Sequence, residues 1–277
     1  MKSILLSTGL DKTPTNLSPV LSYYLSILKR TSINQPEFEN LEIELGRFRR
    51  LYPMVNRHAQ GKYDLKLGEK DGRLYSIYLY APKEFRRLIQ LDGKHPLVEG
   101  DVAASHFHFL LDEMTDPNER ELMKKDLLSS DPYLSMCGSP AGVTRKSLKQ
   151  SSHQFKYGNR KVNKKVLQDA LNPLKLFYRL GLFYRHLSKR YPVFAKTMAE
   201  KKIVHPKHRS VFSCLIMMKE SKVMVHMVGE RCMNEKLIYL PIHDGFLTLP
   251  DQYDRVCQII TETFQQAVGS VPKIRQK

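Results

Sequence analysis

The chain of 277 residues reads as an α+β protein, an antiparallel sheet with helices around it. Three kinds of stretch carry that reading. Leu240-Pro241-Ile242-His243-Asp244-Gly245-Phe246-Leu247-Thr248-Leu249 has an apolar run, a polar pair, a glycine and a second apolar run, the pattern of two strands meeting at a tight turn. Pro96-Leu97-Val98-Glu99-Gly100-Asp101 is a short apolar strand that ends on a carboxylate. Between and around these, apolar residues recur at helical spacing, as in Leu21 to Leu28 and Tyr253 to Val268.

In order, residues 1 to about 70 read as mostly helical. Ser18-Pro19 is a helix start signal. Phe38 to Leu51 keeps one apolar stripe among mixed charges, and Pro53 ends it. From Asp71-Gly72 the pattern becomes extended through Arg73 to Tyr80, and Pro82 opens a short basic helix with Lys83, Arg86 and Arg87. Val102 to Met114 reads as one helix, Val166 to Leu187 as helices, Val211 to Cys232 as one long Met-rich helix, and the last residues as a basic tail.

A chain of this length can bury one large core or two modest ones, and 42% hydrophobic with 26% charged residues is the composition of a soluble globular protein. A net charge of +17 calls for a polyanionic partner, and nucleic acid is the commonest. No basic amphipathic stretch marks a membrane surface, and no window approaches the roughly 18 apolar residues of a span. Met1 to Leu6 lacks the apolar region and cleavage site of a signal peptide. Cys137, Cys214, Cys232 and Cys257 are too unevenly spaced for a disulfide framework or a zinc site and fit reduced thiols. The expectation is a soluble, cytoplasmic protein that faces nucleic acid and no membrane.

Two carboxylates stand out by position. Asp244 sits on a hairpin tip and Asp101 at a strand end, where hard divalent cations find oxygen ligands at fixed places. Each position also has a plain structural use, since turns favour Asp and a helix following Asp101 would take it as an N-cap. Between them Thr144 is a candidate N-cap for a basic helix. Arg145, Lys149, His153, Tyr157 and Arg160 recur at intervals of four or three and share a face. Cations one turn apart suit a triphosphate, and an aromatic two turns on suits stacking on a base. From 145 to 165 there is no acidic residue, so the run offers itself no salt-bridge partner and asks for an external anion.

In this order the pieces resemble family A DNA polymerases across about residues 72 to 250. Gly72-Arg73-Leu74, Phe85-Arg86-Arg87-Leu88-Ile89 and Leu97-Val98-Glu99-Gly100-Asp101 resemble the approach to motif A. Arg145, Lys149, Tyr157 and Gly158 have the spacing of motif B, and Ile242-His243-Asp244 looks like motif C. Phage-type single-subunit RNA polymerases share this plan. Four positions depart from the DNA polymerases. His106 stands where they keep the Glu that excludes the ribose 2′-hydroxyl, and His153 where they have an aromatic ring. Gly245 replaces the Glu after motif C (Ser in the RNA polymerases), and Glu220 falls near a Gln at the primer terminus.

The resemblance implies a right-hand palm with a fingers-like helical insertion and a short helical N-terminal segment. The corresponding divisions are 1–70 for the segment and 71–277 for the palm, with 115–210 as fingers. It implies that Asp101 and Asp244 hold two magnesium ions, which manganese can replace. Arg145 and Lys149 would bind the nucleoside triphosphate, with Lys149 protonating the leaving pyrophosphate. His106, His153, Tyr157 and Gly158 would line the nucleotide and templating base. Arg73, His243, Glu220, Lys156 and Arg160 would follow a DNA primer-template, or RNA. Seventy residues ahead of the palm are too few for a thumb plus a proofreading exonuclease, so replication accessory proteins are expected partners. A small RNA polymerase or primase, and a palm that binds nucleic acid without catalysis, are the alternatives.

Overall fold

The computed structural model describes residues 6–7, 18–34, 37, 52–68, 71–76, 83–157, 182–204 and 216–277. The chain divides into two compact units. One comprises Met1–Val102, Glu220–Ala267 and Ile274–Lys277, and the other Ala103–Lys219 and Val268–Lys273.

The first unit is built on a four-stranded antiparallel sheet. Its strands, in chain order, are β7 (Val98–Val102), β8 (Leu240–Ile242), β9 (Gly245–Thr248) and β10 (Ile274–Gln276), arranged β10-β7-β9-β8. Two smaller antiparallel sheets join β1 (Leu6–Ser7), β3 (Asp64–Leu67) and β4 (Leu74–Tyr75), and β2 (Thr31–Ile33), β5 (Ile89–Leu91) and β6 (His95–Pro96). The segment before residue 70 is therefore not only helical. It also supplies strands that pair with partners further along the chain, which no local pattern reveals.

Helix α1 (Pro19–Arg30) starts as its sequence says, with the Ser18 hydroxyl accepting from Leu21 N–H and Pro19 in the first turn. Its buried stripe runs Val20, Leu21, Tyr24, Leu25, Ile27 and Leu28. The Tyr24 ring packs so closely on Gly229 that a Cβ there would lie 2.0 Å from the hydroxyl. Further on come α2 (Tyr52–Ala59), α3 (Lys83–Arg86) and α11 (Tyr253–Val268), whose Val256, Ile259, Ile260 and Phe264 are fully buried. Phe246 anchors one face of the large sheet, its ring 5.9 Å from Tyr239 and 5.8 Å from Tyr253.

From residue 216 on the Met-rich stretch is helical but not uniformly α-helical, and residues 211–215 lie outside the described residues. Helical residues 216–221 pass into a π-helical segment, Lys222–Met227, and then α10 (Val228–Asn234). Widening the turn shifts carbonyls out of the α ladder. Two buried tyrosines take them: Tyr24 donates to Val225 O at 2.5 Å and Tyr239 to Met224 O at 2.9 Å.

The second unit is helical: α4 (Ser105–His108), α5 (Pro117–Leu127), α6 (Pro132–Met136), α7 (Arg145–Tyr157), α8 (Leu182–Arg190) and α9 (Pro192–Val204). Phe107, Met123, Leu127, Met136, Leu148 and Phe183 belong to its core. Caps mark the starts. Asp116 and Asp131 accept main-chain N–H groups at α5 and α6, and Glu119 accepts from Val193 and Phe194 at α9. The single helix expected over Val102 to Met114 is broken. Ala104 takes a left-handed φ of 54°, α4 ends after one turn, and a short 3-10 turn follows at Leu111–Glu113.

Candidate active site

The hairpin is as its sequence reads: β8 and β9 pair with Ile242 opposite Gly245, leaving His243 and Asp244 as the turn. His243 holds a left-handed φ of 53°, uncommon for a residue with a side chain and frequent at functional sites. Strand β7 pairs with β9 so that Asp101 lies directly opposite Gly245. Val102 N–H donates to the Asp244 carbonyl at 2.9 Å. The register thus sets the backbone of Asp244, in the turn, one step beyond the residue opposite Asp101, although the two acids are 143 residues apart in sequence. Asp101 is not a helix cap, because the N-cap position of α4 is Ala104.

On its other side β7 pairs with β10, with Arg275 opposite Asp101 and Gln276 opposite Gly100. Residues 274–276, read from the sequence as a basic tail, are therefore a sheet strand that pairs along one side of β7. Lys277 N–H donates to the Glu99 carbonyl at 2.9 Å, and its ammonium reaches Glu99 Oε1 at 3.1 Å and Asp101 Oδ1 at 2.9 Å. Burial pulls this lysine down, but the two carboxylates win and hold it above the ordinary lysine range. Glu99 is also clamped by Arg86, at 2.8 and 2.9 Å. Burial raises the Glu99 carboxyl, and the Arg86 and Lys277 cations outweigh it, leaving Glu99 below the usual carboxylate range. Beside this cluster a pocket of about 210 Å³ is lined by Arg86, Arg87, Glu99, Leu247 and Lys277.

Sequence reasoning missed Glu99, Arg86 and Lys277 as neighbours of the acids. The alternation Glu99-x-Asp101 puts both side chains on one face of a strand and was readable. Nothing in the sequence announces the register of β10.

Arg73 and Glu220 meet each other. Arg73 Nε donates to Glu220 Oε2 at 2.8 Å, its Nη2 makes a second contact to the same oxygen, and the Glu220 side chain is 1% exposed. Next to them the Ser221 hydroxyl donates to the Gly72 carbonyl. Both residues expected on nucleic acid thus pair with each other, Glu220 buried and Arg73 half-buried, at the entry to the π-helical segment.

In the second unit, Thr144 caps α7, accepting from Ser147 N–H at 3.3 Å. Arg145 and Lys149 are exposed one turn apart, while Leu148, Ser151 and Ser152 form the buried face. Arg145 does have an internal partner: Asp131, at 3.2 Å, with the guanidinium over the Tyr133 ring. The expectation that the basic run lacks an acid holds only within the run, since a separate turn supplies one. His106 is buried in α4. His153, Lys156 and Tyr157 lie on α7 with side chains outside the described residues, and Gly158 and Arg160 lie outside them altogether. Among the described residues no helix is long and apolar enough to cross a membrane.

No protein-family model and no curated protein matches the chain. In fold it is similar to a solved structure, the POL domain of Pol1 from M. smegmatis in complex with DNA primer-template and dNTP. The TM-score is 0.54 at 13% identity, and the match covers 96% of this chain. The chain spans 56% of that structure's length. The fold, mixed helix with antiparallel sheets, thus resembles a DNA polymerase domain.

Proposed function

We propose that the chain is a template-directed nucleotidyltransferase, a minimal family A-like DNA polymerase that adds nucleotides to a primer 3′-hydroxyl. The observation that carries this is the pairing of β7 with β9, which brings Asp101 opposite the residue that follows Asp244. The likeness in fold to a DNA polymerase domain supports it, as does the net charge of +17.

The donor set fits Mg2+ or Mn2+. Asp101 on β7 and Asp244 in the turn between β8 and β9 offer hard carboxylate oxygens, and Asp101 already attracts a cation, Lys277. Among the described residues no group of three or more His, Cys, Asp or Glu side chains comes together. Two carboxylates suit Mg2+, which keeps waters and takes substrate phosphates as its remaining ligands. When bound, two such ions supply Lewis-acid stabilisation of the attacking and leaving oxygens.

In this reading the protein's own groups position and neutralise rather than form covalent intermediates. Arg145 and Lys149 hold the triphosphate, and Lys149 gives a proton to the leaving pyrophosphate oxygen. His153, Tyr157 and Gly158 shape the nucleotide and the templating base, and His106 acts against the ribose 2′-hydroxyl. His243, Lys156 and Arg160 serve the nucleic acid, while Arg73 and Glu220 are held by each other as an ion pair. The palm is assigned to 71–277, with 115–210 as fingers.

Primer extension tests this reading, using a DNA primer-template, Mg2+ or Mn2+ and each of the eight nucleotides in turn. Templated growth of the primer by deoxynucleotides is the expected result. Product made only from unprimed single strands would make it an RNA polymerase or primase. Binding without any product would make it a nucleic-acid-binding palm.

A further inference from the structure

We propose that Lys277 sets the metal affinity of the Asp101 site by occupying that carboxylate with its ammonium until a divalent ion displaces it. This rests on the reading of Asp101 as a metal ligand. The contact is built rather than incidental. Strand β10 is fixed on β7 residue by residue, Ile274 opposite Val102, Arg275 opposite Asp101 and Gln276 opposite Gly100. The Lys277 main chain adds one more bond, its N–H to the Glu99 carbonyl at 2.9 Å. That bond carries the side chain to the one face where Glu99 and Asp101 lie two residues apart on the strand.

There the ammonium spans both acids, 3.1 Å from Glu99 Oε1 and 2.9 Å from Asp101 Oδ1. Glu99 has a second, bidentate partner in Arg86, so it stays satisfied if Lys277 swings away. Asp101 is the partner that a divalent ion would take over. The Lys277 side chain is 30% exposed and the adjoining pocket of about 210 Å³ gives it somewhere to go. A monovalent cation resting on a ligand oxygen both competes for it and repels the incoming ion, so empty protein would bind metal weakly. Substrate phosphates, which bring their own charge, would favour the loaded state.

The test is Mn2+ binding to the full chain without nucleotide, read from the free-ion electron paramagnetic resonance signal. Lys277→Gln should bind Mn2+ about tenfold more tightly than wild type, because one repelling charge is gone. Lys277→Arg, which keeps the charge, should show no such gain. Asp101→Asn should abolish the gain when combined with Lys277→Gln. Equal Mn2+ affinity in wild type and Lys277→Gln, with circular dichroism unchanged, would overturn the proposal while leaving Asp101 a ligand. Absence of Mn2+ binding in both proteins at millimolar ion would overturn the ligand reading itself, and this proposal with it.

Discussion

Gly245 follows Asp244 at the start of β9, and the sheet leaves little room there for a side chain. A Cβ at 245 would lie 2.7 Å from the Gly100 carbonyl oxygen, a main-chain atom that cannot swing aside. Across the same pair of strands, a Cβ at Gly100 would lie 2.3 Å from the Phe246 ring. β7 and β9 therefore approach through two glycines, and that approach brings Asp101 and Asp244 to adjoining positions. Gly245→Ser should lower unfolding free energy by about 1–3 kcal/mol, the usual range for forcing extra atoms into a packed site. Urea denaturation checks it, and a midpoint equal to wild type would show that the strands can part. Both acids were legible from their places at a strand end and a turn. Lys277 was not, because its role depends on which edge of the sheet β10 joins. Nor was Asp131, which reaches Arg145 from a different turn of chain.

Helix starts were readable because caps are local chemistry: Ser18 and Thr144 behave as their neighbours dictate. Breaks inside helices were not readable. The π-helical segment depends on Tyr24 and Tyr239, one of them 201 residues distant from the carbonyl it satisfies. The interruption after Val102 depends on α4, whose buried His108 bonds Ser270 with its Nδ1 at 2.5 Å. Burial drives this imidazole down from 6.5 to about 4, against a weaker opposing hydrogen bond with the Ala103 main chain. The native state therefore binds fewer protons than the unfolded chain between those two values. Its contribution is complete above the unfolded pKa and is lost as pH falls toward the folded one. Lowering the pH from 7 to 5 should remove about 2 kcal/mol of stability through this one group. His108→Gln should flatten that part of the pH profile in urea titrations. An unchanged slope would mean that His108 does not govern it.

At the scale of the whole molecule, a net charge of +17 calls for a polyanionic partner and pattern gave the fold class. The antiparallel sheet and the likeness to a polymerase domain at a TM-score of 0.54 agree with that reading of the fold. At 13% identity the likeness carries fold and not residue roles. What the sheet adds is a register that sets Asp101 opposite the residue after Asp244, which sequence separation hides. The central claim is that these two carboxylates serve one catalytic centre, so removing either should stop chemistry without unfolding the sheet. The measurement is single-nucleotide primer extension by wild type, Asp101→Ala and Asp244→Ala, with circular dichroism and DNA binding followed in parallel. Extension by wild type, and loss of at least about a thousandfold in each variant with DNA binding retained, is the predicted result. Equal extension by wild type and either variant would contradict it.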